Sequence, residues 1–230
     1  MKEQFCRTAM VLGDSAIEKL QKLHVIIFGI GGVGGYTFEA LVRAGVGEIT
    51  IVDNDTVNES NLNRQIIALR STIGRMKIDV AEERAKDINP DVIIHKVDSF
   101  VLPENINQFD FSKYNFIVDC IDTVSAKIAI IESLLKSGRG IENHIMCLGT
   151  GNKLNPMGFK IVPIEKTSVC PLARVMRREL KERGIKGVKC VYSEEIPVTV
   201  EGQSVPGSVS FVPPAAGLLI ASEVVKKLVK

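Results

Sequence analysis

The stretch Gly29 to Gly35, GIGGVGG, is a run of small residues that lets a backbone come close to a charged ligand. It follows HVIIF, a β-branched run, and precedes residues spaced for a helix, the strand–turn–helix context in which a glycine fingerprint binds phosphate. Gly29 allows a tight turn. Gly31, Gly32 and the intervening peptide before Val33 bring amides to phosphate oxygens, and Gly34 permits close helix–strand packing. Asp53 ends the next apolar run, EITIVD, where a carboxylate accepts hydrogen bonds from ribose hydroxyls.

These features alone do not separate NAD from ATP. The stretch that follows, DNDTVNESNLNRQ, runs from Asp53 to Gln65 and adds Asp55, the amides Asn61 and Gln65, and Arg64. A guanidinium presents a planar fork of donors that matches phosphate oxygens. Lys77, in GRMK, brings a second cation to the same side. Hydride transfer has no need of cations concentrated on the phosphates. Expulsion of pyrophosphate does, because negative charge builds on the departing oxygens.

Further along, YNFIVDCID carries Asp119 and Asp122 at the end of a predicted strand. A carboxylate there can hold magnesium, which keeps several waters and asks for one or two protein carboxylates. Asp122 equally suits the N-cap of the helix that follows. Cys170, before Pro171 at a helix start, is either an activated thiolate or an incidental small residue. Between Arg174 and Lys189 seven basic residues stand against Glu179 and Glu182. Arg174, Arg178 and Lys181 share one helical face, with Arg177 beside them, which is either a phosphate-binding surface for RNA or a solvated helix. His24, His95 and His144 are dispersed and read as structural.

The elements that position these residues alternate. Predicted helices cover Asp14–Lys22 (capped by Asp14), Gly32–Ala44, Gly74–Ile88, Val124–Lys136, Pro171–Arg183 and Pro213–Val229. Strands are predicted at HVIIFG, EITIVD, DVIIHKV, YNFIVDCID and within IENHIMCLGTG. Strands alternating with helices mean βαβ units, so the fold class is α/β, a Rossmann-like, mostly parallel sheet flanked by helices. KCVYSEE, IPVTVEG and GSVSFVP are expected as antiparallel strands in the C-terminal part. A single domain over 1–230 is expected, with an ATP-binding part at 1–150 and a substrate-binding, dimer-forming part at 151–230.

The chain has 230 residues, 45% hydrophobic and 24% charged, with a net charge of +2 that announces no nucleic acid by itself. Its five cysteines include no pair at zinc-site spacing and suggest free thiols in a reducing cytoplasm. No signal-like or membrane-spanning run is present.

GIGGVGG, VDNDTV, SNLNRQ, GRMK and DCIDTVSAK, in this order and spacing, resemble the ThiF/MoeB/HesA superfamily of adenylating enzymes related to ubiquitin activators. The resemblance implies that Asp53 binds ribose, that Asn61, Arg64 and Lys77 contact phosphates, that Asp122 holds magnesium, and that Arg7 reaches a partner subunit's ATP in a homodimer. INP, GTGNKLNP, KTSVCPLARVMRRELKERGI, VYSEE and FVPPAAGLLIASEVV are similar to the tRNA threonylcarbamoyladenosine dehydratases. That implies ATP-dependent activation of the carboxylate of a modified adenosine in tRNA, followed by cyclisation with loss of AMP. Cys170 and Asn155 depart from the Asp common at both places in that family. Relatives that activate sulfur carriers commonly hold zinc in paired CxxC motifs, which this chain lacks. Activation of a small carrier protein, with sulfur-transfer partners, is the rival reading. An NAD-dependent oxidoreductase and a non-catalytic nucleotide-binding partner are the others.

Overall fold

The computed structural model describes residues 2–199, 202 and 205–230. Two short helices, α1 (Cys6–Leu12) and α2 (Asp14–Leu20), lead into β1 (His24–Phe28), α3 (Gly34–Ala44) and β2 (Glu48–Val52). Then come α4 (Lys77–Ile88), β3 (Ile93–Val97), β4 (Phe116–Asp119), α5 (Val124–Lys136) and β5 (His144–Cys147). The chain finishes with β6 (Phe159–Pro163), α6 (Pro171–Glu182), β7 (Lys189–Ser193) and α7 (Val212–Val229).

The strands form one sheet in the order β3-β2-β1-β4-β5-β7-β6, with every neighbouring pair parallel except β6 and β7. Alternate residues serve opposite faces. Val25, Ile27, Ile49, Ile51 and Val118 pack under α3 and α7. Ile26, Phe28, Val52 and Ile117 pack against α5 and the 106–114 segment. Met146, Cys190 and Tyr192 continue that second face under α6. Each such fully buried large side chain contributes roughly 1.5–3 kcal/mol of transfer free energy.

Several expectations are corrected. β7, from KCVYSEE, does pair antiparallel with β6 as expected, but its other edge joins β5 in parallel. Four of its five residues are buried, the pattern of a strand covered on both faces. β6, an edge strand ending at Pro163, gave too weak an alternation to be expected. Residues 196–199 and 207–211 form no strand, while Val200 and Glu201 of IPVTVEG lie outside the described residues. GSVSFVP instead runs as a loop into α7, whose first turn takes the prolines that a ladder would reject. Gly13, not Asp14, caps α2, and Asp14 sits in its first turn. Helix α4 starts at Lys77, three residues later than Gly74, and α1 was not anticipated.

Candidate functional site

Strands β1 and β4 lie side by side, and the chain leaves them toward opposite faces, into α3 and α5. That is the switch point at which ligands of doubly wound sheets bind. A cavity of about 720 Å³ opens there, lined by Gly29, Gly31, Gly32, Val33, Asp53, Asp55, Asn61, Arg64, Gln65, Lys77 and Asp122 among others. Gly34 lies behind that wall. A Cβ on it would come within 1.8 Å of the Gly29 carbonyl oxygen, so the loop closes only on glycine. Gly29 itself has φ +86°, a conformation that side chains resist.

Asp53 fastens this loop to β2. One carboxylate oxygen accepts from the Ile30 amide at 2.7 Å and the other from the Asp55 amide at 2.9 Å. Each oxygen keeps a lone pair for a further donor. Lys77 is the first residue of α4 and only 5% exposed; its Nζ donates to Asp55 at 2.7 Å and lies 4.0 Å from Asp53. The Lys77 amide donates to the Asp55 carbonyl, so α4 and the loop after β2 are tied at two points. Asn61 caps its own turn, its Oδ1 accepting from the Asn58 amide at 3.0 Å. Arg64 spends one nitrogen on the Ser60 carbonyl and on Asn63, both at 2.9 Å, and its stem lies against Gly32. Buried Gln65 has an oxygen with no partner among the described residues. The polar stretch is therefore a preorganised wall, with donors left free on Asn61 and Arg64.

The two carboxylates of VDCID separate. Asp119 is fully buried and pairs with equally buried Lys127 at 2.9 Å; Lys127 also donates to the Cys147 carbonyl at 2.8 Å. Burial pushes the Asp119 carboxyl up, and the ammonium of Lys127 pulls against that. Asp119 thus stays out of the cavity and braces the strand ends beneath it. Asp122 is exposed, lines the cavity, and has no ion pair among the described residues. Nor does it cap α5, whose N-cap is Thr123.

The opposite wall comes from the C-terminal half: residues 147–153, Cys170, Pro171, Leu172 and the 205–208 loop. Asn152, at φ 56°, accepts from the Gly207 amide and joins the two loops. Lys153 was not singled out in the sequence, although it lies in GTGNKLNP. It is 3% exposed, held by the Ser193 and Glu195 carbonyls, and burial lowers its pKa. Cys170 is 2% exposed, with its sulfur near Gly149. Asn155 does not line the cavity; it accepts from the Met157 amide in a local turn.

Arg7 is exposed on α1 and does not line the cavity. On α6, Arg174, Arg178 and Lys181 are exposed. Arg178 is partly neutralised by Glu179 at 2.8 Å. Arg177 departs from the set: its guanidinium turns inward to the Thr167 carbonyl and hydroxyl, so it is a poor candidate for an external anion. No helix among the described residues is long and apolar enough to cross a membrane.

Known proteins resemble this chain over nearly its whole length. The profile of the ThiF family matches residues 5–230. The tRNA threonylcarbamoyladenosine dehydratase of Bacillus subtilis is 35% identical, over 100% of this chain and 96% of its own. The crystal structure of E. coli tRNA N6-threonylcarbamoyladenosine dehydratase in complex with ATP superposes with a TM-score of 0.90 at 34% identity, covering 98% of this chain and 93% of that one. The same enzyme in complex with AMP gives the same TM-score over 94% of its length.

Proposed function

The chain belongs to the ThiF family, and from that premise we propose that it is an ATP-dependent enzyme that adenylates the carboxylate of threonylcarbamoyladenosine in tRNA and dehydrates it to the cyclic form. The observation that carries this reading is the meeting of Arg64, Lys77 and the glycine loop in one cavity of nucleotide size. The full-length similarity to dehydratases, one of them crystallised with ATP, supports it.

In this reading the substrate carboxylate attacks the α-phosphorus of ATP. The bond to the bridging oxygen breaks, and pyrophosphate leaves with the electron pair. The amides of the glycine loop and Val33 cradle phosphate, while Asp53 accepts from ribose. Arg64, Lys77, Asn61 and Gln65 hold the departing phosphates, where fixed donors are worth most because charge is accumulating. Lys77 exchanges part of its pairing with Asp55 for phosphate. An oxygen of the same threonylcarbamoyl group then attacks the activated carbonyl, and AMP leaves as the ring closes. Proximity is supplied by the substrate itself, so neither a transfer cysteine nor a zinc-held carrier site is needed. Asp122, exposed and unpaired in the cavity wall, fits a magnesium ion that keeps most of its waters. When bound, such an ion neutralises charge on the leaving phosphates.

Residues 1–230 act as one unit in a homodimer, in which Arg7 reaches the partner's nucleotide. Met10 and Val11, 82% and 84% exposed beside Arg7, supply an apolar surface for that contact. The open face of α6, through Arg174, Arg178 and Lys181, meets the tRNA backbone. Cytoplasmic location and sulfur-transfer partners belong to the same reading; the free cysteines fit the first.

Pyrophosphate exchange with candidate carboxylates tests this. Exchange that depends on threonylcarbamoyl-modified tRNA is expected. Exchange that requires a carrier protein instead, or tight NAD binding without ATP binding, would overturn it.

A further inference from the structure

The parallel register of the first three strands gathers, at the sheet edge remote from the nucleotide cavity, residues that are far apart in the sequence. His24 pairs in register with Glu48, and Thr50 with His95, so all four side chains share one face. The Glu48 Oε1 atom lies 2.7 Å from His95 Nε2 and 3.4 Å from His24 Nδ1. One ligand atom from each of the three residues falls within 4.8 Å of the others. We propose that His24, Glu48 and His95 form a divalent transition-metal site of the zinc class, with solvent completing the coordination.

Zinc bonds to imidazole nitrogen and carboxylate oxygen of about 2.0–2.2 Å place tetrahedral ligands roughly 3.3 Å apart, and two histidines with one glutamate are a known open set. The cluster is therefore nearly at ligand spacing before any ion enters. The second His24 nitrogen supports this. His24 Nε2 stands 2.8 Å from the Thr50 hydroxyl oxygen. With its proton directed at Thr50, the ring presents a lone pair on Nδ1 toward Glu48. A ring nitrogen held by a neighbour in this way is the usual outer support of a metal-bound histidine.

Without an ion, Glu48 accepts from His95 Nε2–H at 2.7 Å, and a cation entering between the three groups displaces that proton. The Tyr114 ring packs edge-on against His24 at 4.8 Å and fixes its plane. His95 and Glu48 have half and about a third of their side chains open to solvent, so an entry path exists. Lys113, 68% exposed, is drawn off toward Asp110 at 3.9 Å. The site lies a full strand length, roughly 15 Å, from the glycine loop. Its role is thus to fasten β1, β2 and β3 together rather than to join the adenylation chemistry, and it does not rest on the functional reading above.

The test uses the full chain, stripped with chelator and free of nucleotide, titrated with zinc alone. One equivalent is expected to bind, with His95→Ala and Glu48→Gln each weakening it about tenfold or more. Zinc at a hundredfold excess over its Kd should raise the melting temperature of the wild-type protein by roughly 5–10 °C. Imidazole NMR decides the matter even if a variant fails to fold: His24 and His95 resonances should shift, while those of buried His144 stay put. No zinc uptake by the wild type, equal uptake by both variants, or unmoved His24 and His95 resonances would overturn the site.

Discussion

Asp119 and Asp122, three residues apart, should respond to the same substitution in opposite ways. Asp119→Ala strips the partner from Lys127, an ammonium with no solvent exposure whose remaining contact is the Cys147 carbonyl. Breaking a buried pair from one side costs about 3–5 kcal/mol, a large share of a stability of roughly 5–15 kcal/mol. In a chain of this size that is a fall of about 6–20 °C in melting temperature. Asp122→Ala removes an exposed carboxylate without an ion pair among the described residues, so stability should change by less than about 0.5 kcal/mol. On the proposed reading its cost falls on the reaction instead: without the carboxylate that would hold magnesium at the leaving phosphates, pyrophosphate exchange should slow by about 10²–10³-fold. Calorimetry and exchange rates on both variants separate the two roles. Replacing Asp119 and Lys127 together by leucine and methionine should recover most of the lost stability, because no unpaired charge is left inside. If Asp122→Ala keeps more than a tenth of the activity, or Asp119→Ala melts like the parent, the division of labour is wrong.

Three more outcomes can be checked. Arg64→Ala should lower exchange by about 10²–10³-fold with an unchanged melting temperature, and Arg64→Lys should restore only part of it, since an ammonium cannot reproduce the fork; parent-like exchange in Arg64→Ala would remove the arginine from the phosphate wall. Arg174→Ala with Lys181→Ala should weaken modified-tRNA binding and reduce the slope of log affinity against log salt by nearly two, measured by titration at several ionic strengths; an unaltered slope would make α6 a merely solvated helix. His144, fully buried with neither ring nitrogen partnered among the described residues, has its pKa lowered by burial to about 3. Its folded pKa lies below the unfolded one, so its contribution is complete above pH 6.5 and is lost as pH falls toward 3. Between pH 6.5 and 4.5 that amounts to about 2 kcal/mol, and His144→Leu should flatten denaturant-derived stability across this window; an equally steep profile would refute the assignment.

The first half of the site was legible because its residues act close to where they stand in the sequence. A strand, a glycine turn and a helix are contiguous, so Gly29 to Gly34 announce the loop directly. Asp53, Arg64 and Lys77 follow on one connected path around the same strand ends. What could not be read is what depends on the sheet order. That β7 inserts beside β5 and leaves β6 as the edge follows from the chain crossing through α6, which no local pattern encodes. The Asp119–Lys127 pair spans one strand and one helix, and nothing in VDCID says which carboxylate turns inward. Arg177 shared its spacing with Arg174 and Arg178, yet a hydrogen bond to Thr167 ten residues earlier withdrew it. The His24, Glu48 and His95 grouping needed the register of three strands. Lys153 and the 205–208 loop reach the cavity only because the C-terminal half folds back over it.

The thiols bear on which member of the family's chemistry this cavity can run. Transfer of an activated acyl group to the enzyme requires a thiolate that is accessible and easily formed. Burial holds Cys120 well above the usual thiol range and pushes Cys147 and Cys190 up to about 12, leaving them protonated at neutral pH. Cys170 touches the cavity but is 2% exposed at the start of α6. Arg64 and Lys77 stand on one wall of the cavity, and the opposing wall offers prolines, the buried Cys147 and Cys170, and a lysine already bound to backbone oxygens. On the proposed reading the cavity activates a carboxylate, but among the described residues it presents no exposed thiol with which to capture the product. The activated group must find its nucleophile elsewhere, and a substrate carrying its own, as a threonylcarbamoyl group does, needs nothing more from the enzyme than to be held while it closes.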